Sequence, residues 1–308
     1  MTHTLAILRN PRARHAPTED ALLLAAQPLR NRGWAVTVET PRDNMHTVAR
    51  ARAAAERGVE AVAACGGDGT VHAVANGLAG SATALAVLPT GTTNIWAREA
   101  GIPRALPAAL ALLPHARRLR VDLGRAHLGG TERRFLLMCG VGLDADIVQR
   151  VEGSRGKRLL GRGWYAAAGA VALARARPGQ ATIELDDTRR VVPLLQLVAG
   201  NTRLYGGVAR ITGDARATDG LLDVCILAGQ ARTDTPRLAL QALRGALHRR
   251  HVRGAEYLRT ARVTIDASPA RGVQLDGEYA GTTPVRIEVD RAALDVLVAP
   301  GARALFGD

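Results

Sequence analysis

The chain has 308 residues, of which 47% are hydrophobic and 22% are charged, and its formal net charge is +13. These values exclude a disordered or collagen-like chain, and domains of about 100–200 residues make two domains the expected number. A positive net charge favours anionic partners such as nucleotides, nucleic acid or anionic lipid surfaces. Almost all of this charge comes from arginine, with Lys157 the only lysine, so we treat it as weak evidence for a binding surface.

The first part of the chain alternates between apolar segments and helical patterns. It predicts strands over Thr4–Leu8, Trp34–Glu39, the segment VEAVAAC and Ala84–Pro89, with a helix from Thr18 to Gly33, a second that closes at Gly58 and a third after Thr70. This order indicates βαβ units and a parallel sheet that is covered on both faces. We therefore expect an α/β domain over residues 1–124.

After Arg117 the pattern changes to many short extended segments joined by Gly-rich or Asp-rich turns. They predict a mainly antiparallel β-sandwich domain over residues 125–289, in which RRFLLMCG is a single strand. Helical patterns in this domain are limited to about Ala145–Val151, Gly163–Ala176 and Pro236–Arg250. The apolar end of the chain, residues 290–308, is predicted to pack back on the first domain and complete it.

Three cysteines, Cys65, Cys139 and Cys225, are widely separated and lie in apolar segments. They predict neither a disulfide framework nor a CxxC metal site, and a reducing compartment fits them best. The N-terminal segment is typical of a first strand rather than a signal peptide, and the apolar segments fall short of the ~20 residues needed to span a bilayer. We expect a cytoplasmic protein with at most peripheral contact at the inner membrane face.

The segment Gly66-Gly67-Asp68-Gly69-Thr70 stands between a predicted strand and a predicted helix. Glycines here let the backbone approach a phosphate closely, and the first amides of the helix supply unpaired donors. A plain turn that needs positive φ explains the glycines equally well. Asp68 favours a functional role, because a carboxylate is unfavourable beside bare phosphate and better suited to a metal ion, a hydrogen-bond network or the reacting hydroxyl.

A second loop, LPTGTTN from Leu88 to Asn94, follows the next predicted strand. Because ligands bind at the carboxyl ends of strands in open α/β sheets, the two loops are predicted to line one crevice. Thr92 and Asn94 are also suited to cap the following helix, and that role is compatible with ligand contact. The sequence contains no P-loop, no protein-kinase motif set, no dinucleotide fingerprint, and no HExxH or GxSxG segment.

Five segments carry a family resemblance. GGDGTVHAVANGL, PTGTTNIWAREAGIP, GVGLDADIV, NTRLYGGVARITGDARATDGLLDV and VQLDGEYAG follow one another in this order. Together they resemble the diacylglycerol kinase catalytic-domain family, which includes bacterial lipid kinases and sphingosine kinases. The resemblance extends over about Leu5–Val289. It implies an NAD kinase-like α/β nucleotide-binding domain and a β-sandwich domain for the lipid substrate, with the active site in the cleft between them.

The resemblance also implies roles for individual residues. ATP and Mg²⁺ are the implied cofactors, and the implied nucleotide contacts are Asn10, Thr40, Gly66, Gly67, Asp68, Gly69, Thr70 and Thr92. Glu278 in LDGE would accept the proton of the lipid hydroxyl, with Asp276 beside it and Asp68 as a further catalytic carboxylate. The Asp219 carboxylate and the carbonyls of Arg216 and Leu221 would form a structural magnesium site. By themselves, LDGEY and TDGLLDV are typical of turns.

The sequence departs from the family pattern at three places. The segment NPRARHA lacks the Ser-Gly that often follows Asn-Pro, which leaves the loop near the ribose undefined. His72 and Ala73 replace the usual Asn-Glu, and we interpret His72 as a satisfied polar residue of the helix. Ile95 stands where many bacterial members have Asp, which leaves Asp68 with fewer acidic partners and its own role open.

The resulting hypothesis is an ATP-dependent lipid kinase that phosphorylates a hydroxyl of a diacylglycerol-like or sphingoid-like lipid at a membrane surface. Two alternatives stay open: an NAD kinase-type enzyme with a soluble substrate, and a catalytically degenerate nucleotide-binding member. Nucleic acid is not expected as a partner, because 3% aromatic residues leave little stacking surface. The sequence leaves the acceptor lipid and the oligomeric state, including a homodimer, undecided.

Overall fold

The computed structural model describes residues 3–152, 178–185, 188–207, 209–229 and 253–307. The chain divides into two compact units. The first comprises Met1–Leu123, Ala217–Asp219 and Arg291–Asp308, and the second comprises Gly124–Arg216 and Gly220–Asp290. The predicted helices over Gly163–Ala176 and Pro236–Arg250 lie outside the described residues.

The first unit contains a parallel sheet. Its strands are β1 (Thr4–Arg9), β2 (Ala35–Glu39), β3 (Ala61–Gly66) and β4 (Ala84–Pro89). They are hydrogen-bonded in the order β4-β3-β1-β2, and every pair is parallel. All residues of β3 and β4 are buried, as expected for strands covered on both faces. The predicted α/β class of this unit is confirmed.

The helices of the first unit connect these strands. They are α1 (Glu19–Ala25), α2 (Gln27–Arg30), α3 (Asn44–Glu56), α4 (Asp68–Leu78), α5 (Ile95–Glu99) and α6 (Leu106–Leu112). The single helix predicted over residues 18–33 was wrong, because it is divided at Ala26. Pro28 lies in the first turn of α2, and a proline inside a continuous helix would remove one hydrogen bond and clash with the preceding turn.

The second unit is mainly antiparallel. Its strands are β5 (Arg117–Leu128), β6 (Thr131–Phe135), β7 (Met138–Gly142), β8 (Gly179–Leu185), β9 (Thr188–Gly200), β10 (Leu222–Ala228), β11 (Ala255–Thr260), β12 (Arg262–Ser268), β13 (Gly272–Leu275), β14 (Glu278–Thr282) and β15 (Val285–Val298). Strand β5 belongs to this unit from Gly124 onwards, and β15 belongs to it as far as Asp290. Its helix is α7 (Leu143–Glu152). A core of apolar side chains from these strands, including Phe135, Leu197, Val224 and Ile265, is almost fully buried. The sandwich prediction is confirmed.

Two strand predictions differ from the structure. The single strand predicted for RRFLLMCG is divided into β6 and β7, because Leu136 and Leu137 donate their amides to the Asp276 carboxylate rather than to a neighbouring strand. Strand β11 was missed altogether. Its sequence, AEYLRT, mixes charged and apolar residues, and its pairing with β10 is what makes it extended. Among the described residues, no helix is long and apolar enough to span a bilayer.

Candidate active site

Two glycine-containing loops are in contact at the carboxyl ends of the neighbouring strands β3 and β4. The amides of Thr90 and Gly91 donate to the carbonyl of Gly66, at 3.0 and 3.2 Å. A Cβ atom on Gly91 would lie 2.4 Å from the Cα of Gly67, which is closer than atoms can pack. Glycine is therefore required at position 91 for the two loops to meet.

The first of these loops leads directly into α4. Gly67 is the N-cap of the helix, and its carbonyl accepts from the amides of Thr70 and Val71 at 2.9 and 3.1 Å. The preceding Gly66 is needed because a Cβ atom there would lie 2.2 Å from Thr70 Oγ1. The first amides of a helix have no acceptor within it and attract anions. Backbone geometry therefore makes the Gly66–Thr70 segment suited to a phosphate.

Asn10 joins the end of β1 to this loop. Its amide donates to the carbonyl of Cys65 at 2.9 Å, and its side-chain Nδ2 donates to Thr70 Oγ1 at 3.0 Å. Its Oδ1 accepts from the amide of Arg12 at 2.9 Å. Burial raises the pKa of the Cys65 thiol to about 11, so this cysteine is a neutral core residue. Asn10 therefore lies against the loop for which the sequence predicted a nucleotide role.

The two remaining threonines of the predicted nucleotide set are exposed. Thr40 follows β2, and its Oγ1 accepts a hydrogen bond of 3.3 Å from Arg9 at the end of β1. Thr92 lies in the second loop, next to Gly91. Both threonines follow strands of the parallel sheet, as do Asn10 and Gly67, so the structure brings the predicted nucleotide residues to one edge of the first unit.

The carboxylate of Asp68 accepts a hydrogen bond from a backbone amide. Its Oδ1 accepts a hydrogen bond of 2.6 Å from the amide of Ile95, the first residue of α5. Asn94, at φ 50°, precedes that residue, and its side chain accepts from the amide of Gly91 and donates to the carbonyl of Gly91, at 3.1 and 2.9 Å. Asp68 and Asn94 together hold the second loop in its position beside the first.

A tight turn in the second unit carries the two acids of LDGE. Asp276 and Gly277 both have positive φ and connect β13 to β14, with Leu275 paired to Glu278. This is the geometry of a two-residue type I′ hairpin. The Asp276 carboxylate accepts from three backbone amides at 2.8 to 2.9 Å, those of Leu136, Leu137 and Met138. Asp276 therefore anchors the turn.

Glu278, the first residue of β14, is partly exposed. Its Oε2 lies 3.3 Å from Nη2 of Arg133, and its side chain is 30% accessible. This ion pair holds the Glu278 carboxylate beside the Arg133 guanidinium. Asp276 and Glu278 are thus close in the chain but differ in their surroundings. The Asp276 carboxylate accepts hydrogen bonds from backbone amides, whereas the Glu278 side chain is partly exposed to solvent.

The segment that contains the predicted magnesium ligand Asp219 is held by backbone hydrogen bonds. In the first unit, Ala217 accepts from the amide of Asp122 at 2.7 Å, and it donates to the carbonyl of Leu305 at 3.0 Å. These bonds fix the chain just before Asp219. Among the described residues, no group of three or more His, Cys, Asp or Glu side chains could hold a metal. The donors in question are one carboxylate and two carbonyls, all oxygen, which is the chemistry Mg²⁺ prefers.

Comparisons with known proteins identify the family. Residues 4–126 match the model of the diacylglycerol kinase catalytic domain, and residues 138–298 match that of the YegS C-terminal NAD kinase beta sandwich-like domain. A diacylglycerol kinase of Mycobacterium tuberculosis is 35% identical over 94% of this chain and 93% of its own length. The chain belongs to the diacylglycerol kinase family.

Other relatives agree with this placement. A diacylglycerol kinase of Bacillus subtilis is 32% identical over 76% of each chain, and a Pseudomonas putida protein named "Probable lipid kinase YegS-like" is 32% identical over 91% of each. A crystal structure of a diacylglycerol kinase from Bacillus anthracis superimposes with a TM-score of 0.73 over 98% of each chain at 18% identity, which shows the shared fold. Membership in this kinase family implies ATP use and transfer of phosphate to an alcohol group.

Two of the departures from the family pattern, at His72 and Ile95, are buried side chains in this member of the diacylglycerol kinase family. Ile95 is buried, and its amide, rather than its side chain, pairs with Asp68. His72 is also buried, and its Nε2 lies 3.3 Å from Nδ2 of Asn76 one helical turn later. His72 is thus a helix residue with a polar neighbour on its own helix, in agreement with its interpretation from the sequence.

Sequence reasoning assigned no role to two buried polar residues of the second unit. Asp144 and Gln274 are 8% and 3% exposed, and Gln274 Nε2 donates to Asp144 Oδ2 at 2.9 Å. Their only signal in the sequence is their place in two of the family segments, GVGLDADIV and VQLDGEYAG. A polar residue in an otherwise apolar strand pattern predicts a partner but does not name it.

Proposed function

We propose that the chain is an ATP-dependent lipid kinase that transfers the γ-phosphate of ATP to a hydroxyl of a diacylglycerol-like or sphingoid-like lipid. The observation that carries this proposal is the match to relatives named as diacylglycerol kinases, at 35% identity over 94% of the chain. The phosphate-suited loop pair of the first unit and the partly open Glu278 of the second unit support it. The relatives are named as lipid kinases, so an NAD kinase-type substrate is not favoured.

In this proposal the first unit binds the nucleotide. Amides of Gly67, Asp68 and Gly69 at the start of α4 would donate to phosphate oxygens, because they lie at the positive end of the helix dipole. Thr70, with Asn10 bound to its hydroxyl, would define one side of the phosphate site. Thr92 and Thr40 are exposed hydroxyls at the same sheet edge and would contact the nucleotide from there. The close contact of Gly67 and Gly91 supports a shared role for the two loops.

Magnesium is part of the proposal. The Asp219 carboxylate and the carbonyls of Arg216 and Leu221 would hold Mg²⁺, which usually keeps several of its waters and so needs few protein ligands. When bound, this structural ion would hold the segment from Arg216 to Leu221 together through the oxygen atoms that it coordinates. Ala217, which Asp122 and Leu305 fix through backbone hydrogen bonds, would keep Asp219 in place.

Glu278 would act as the general base. Its carboxylate would take the proton of the lipid hydroxyl while the oxygen of that hydroxyl bonds to the γ-phosphorus, and ADP would leave with the bridging oxygen. Arg133 would hold the carboxylate in one rotamer through their ion pair. Asp276, whose carboxylate is occupied by three backbone amides, would orient the turn and take no part in proton transfer.

We further propose that the acceptor is reached at an anionic bilayer surface. The net charge of +13 supports this, because basic side chains are attracted to the negative potential of such surfaces. The test is sedimentation with vesicles of anionic phospholipid and with vesicles of neutral phospholipid. We expect the protein to pellet with the anionic vesicles and to be released by added salt. Equal recovery with both vesicle types would contradict surface attraction.

The decisive experiment for the activity uses radiolabelled ATP and a total lipid extract, followed by identification of the labelled lipid. We expect label in a lipid that carries a free hydroxyl, and none in soluble NAD added as a competing acceptor. Label in NAD alone would replace the lipid kinase by a soluble-substrate kinase. ATP binding without transfer to any acceptor would indicate a degenerate family member.

A further inference from the structure

A buried polar network lies beneath the turn that carries Glu278, and the proposed mechanism does not use it. Its centre is the Asp144 carboxylate near the start of α7. Asp144 Oδ2 accepts from the hydroxyl of Tyr205 at 2.7 Å and from Nε2 of Gln274 at 2.9 Å. Asp144 Oδ1 accepts from the amide of Ala145 at 2.7 Å. The three donors come from different segments of the second unit.

The network extends to β9. The amide of Asp144 donates to Oε1 of Gln196 at 2.9 Å, and Nε2 of Gln196 donates to the carbonyl of Leu197 at 3.1 Å. Gln196 is 6% exposed. A buried carboxyl group is costly unless its oxygens are hydrogen-bonded. Here both oxygens have donors, so the group is stably held within the protein.

Electrostatics keep the donors of this network in place. Burial raises the pKa of Asp144, and the hydrogen bonds from Tyr205 and Gln274 oppose that rise. Burial and the neighbouring Asp144 also raise the pKa of Tyr205 well above its usual value. The Tyr205 hydroxyl therefore stays protonated and keeps donating to the carboxylate.

Gly140 makes room for the network. A Cβ atom at this position would lie 1.8 Å from Asp144 Oδ2 and 2.6 Å from Nε2 of Gln274. Gly140 lies outside the positive-φ region, so the backbone does not need glycine for its conformation. The space that its missing side chain leaves is filled by the hydrogen bond between Asp144 and Gln274.

The network reaches the turn through Gln274. The side chain of Gln274 donates to Asp144 with Nε2, and its Oε1 accepts from the amide of Gly277 at 2.7 Å. Gly277 directly precedes Glu278. On the other side of the turn, Asp276 accepts from the three amides of residues 136–138. The two residues before Glu278 are thus held by two separate sets of hydrogen bonds.

We propose that Gln274 and Asp144 are positioning residues that set the orientation of Glu278 for proton transfer. This rests on the proposed function, in which Glu278 is the base. The Gln274 side chain links the buried Asp144 carboxylate to the Gly277 amide through two hydrogen bonds. The backbone of Gly277 in turn determines the position from which the Glu278 side chain extends. A displacement of about 1 Å at a reacting group can cost about 100-fold in rate.

The test compares Gln274→Leu with the wild type in lipid phosphorylation, and Gln180→Leu serves as the control because Gln180 is exposed on β8. We expect Gln274→Leu to lower kcat about tenfold to 100-fold with little change in KM for ATP, because the nucleotide loops belong to the other unit. The control should keep wild-type kcat. A purely structural role would lower the melting temperature without a selective loss of kcat in the folded fraction.

Two further variants keep the proposal testable if Gln274→Leu does not fold. Gln274→Glu retains the acceptor for Gly277 but has no amide donor for Asp144, and we expect it to lose kcat. Adding Asp144→Asn to Gln274→Glu places an amide donor at position 144 and a carboxylate acceptor at position 274, so the hydrogen bond can form in the opposite direction. We expect this double variant to recover a substantial part of the lost kcat. A double variant no better than Gln274→Glu would overturn the coupling.

Glu278→Gln separates this proposal from the assignment of the base. If Glu278→Gln is inactive and Gln274→Leu keeps wild-type kcat, the positioning role is wrong while the base assignment stands. If Glu278→Gln keeps wild-type turnover, the base assignment fails, and the positioning role with it.

Discussion

The Asp68 carboxylate accepts a hydrogen bond of 2.6 Å from the backbone amide of Ile95. These residues are 27 positions apart, and they are the first residues of α4 and α5, the helices that follow the two loops at the ends of β3 and β4. The bond places a carboxylate from the first loop at the first residue of the helix that follows the second loop. We infer that Asp68 joins the two loops. The sequence had left the role of this residue open.

The Asp68 bond predicts different outcomes for two substitutions. Asp68→Asn keeps an oxygen that can accept from Ile95, whereas Asp68→Ala removes the acceptor. Losing a side-chain acceptor at a helix start costs about 1 kcal/mol, so we expect Asp68→Ala to lower stability by about that amount. We also expect it to weaken ATP binding, with Asp68→Asn closer to wild type in both measurements. Chemical denaturation and calorimetric ATP titration measure the two effects. Equal stability and equal ATP affinity for the two variants would contradict the loop-joining role.

The contact between Gly67 and Gly91 predicts that a single methyl group will separate the loops. In Gly91→Ala the new Cβ atom would start 2.4 Å from the Cα of Gly67, so the second loop must move. We expect at least a tenfold rise in the dissociation constant for ATP, which corresponds to about 1.4 kcal/mol.

Gly301→Ala is the matched control for this change. A Cβ atom at Gly301 would meet nothing within 4 Å, and its backbone is outside the positive-φ region. This variant should bind ATP like the wild type. If Gly91→Ala also binds like the wild type, contact between the loops is not needed for nucleotide binding.

The setting of Glu278 predicts a selective loss of chemistry. Glu278→Gln keeps the shape of the side chain but removes the proton acceptor, and general-base catalysis typically contributes about 100-fold to 10,000-fold. We expect lipid phosphorylation to fall by at least about 100-fold, with the dissociation constant for ATP unchanged. The measurements are steady-state phosphorylation of lipid vesicles and equilibrium ATP binding.

Glu184→Gln provides the control for the loss of a carboxylate from a strand of the same unit. Glu184 also pairs with an arginine, Arg189, at 3.5 Å, and its side chain is 49% exposed. Its substitution should leave turnover intact. A Glu278→Gln enzyme with wild-type turnover would assign the base to another residue.

Glu288 predicts a pH-dependent contribution to stability. Burial opposes its ionisation, but hydrogen bonds from Arg286 and His127 and the charge of Arg125 outweigh this and lower its pKa to about 2. Because the pKa is lower in the folded state than its ordinary value of 4.5, the stabilisation is present above that value. It is lost as the pH falls towards 2.

Glu288→Gln should therefore melt at a lower temperature than the wild type at pH 7. The difference in melting temperature should narrow between pH 4.5 and pH 2, because the wild type loses the charge that the variant never had. Thermal unfolding of both proteins across this range measures it. A difference that is independent of pH would show that packing, rather than charge, accounts for the effect of Glu288.

Much of the fold could be predicted from sequence patterns. The alternation of apolar segments and capped helices placed β1 to β4 within a few residues, because β1, β3 and β4 are largely buried apolar segments and a helical pattern follows each strand. The predictions that failed concern long-range contacts. Strand β11 has a mixed sequence and is extended through its pairing with β10. The break between β6 and β7 depends on Asp276, which is about 140 residues away in the chain.

The candidate site divides in the same way. The glycines of the first loop and the acids of LDGE were visible because a tight strand-to-helix connection and a two-residue hairpin each demand particular residues within a few positions. The partners of those acids were not visible. Asp68 bonds to the first amide of α5, Asp276 to the three amides of residues 136–138, and Gln274 to Asp144.

The sequence by itself determined the two fold classes, the family segments and the residue types available for phosphate binding and proton transfer, because these depend on local pattern and composition. Only the tertiary structure decided which acids are occupied by backbone amides and which remains partly open. A hydrogen bond depends on distance and direction in space, and chain packing alone brings Asp68 to Ile95 and Asp276 to Leu137. Glu278 differs from Asp276 for this reason, although only one residue separates them in the chain.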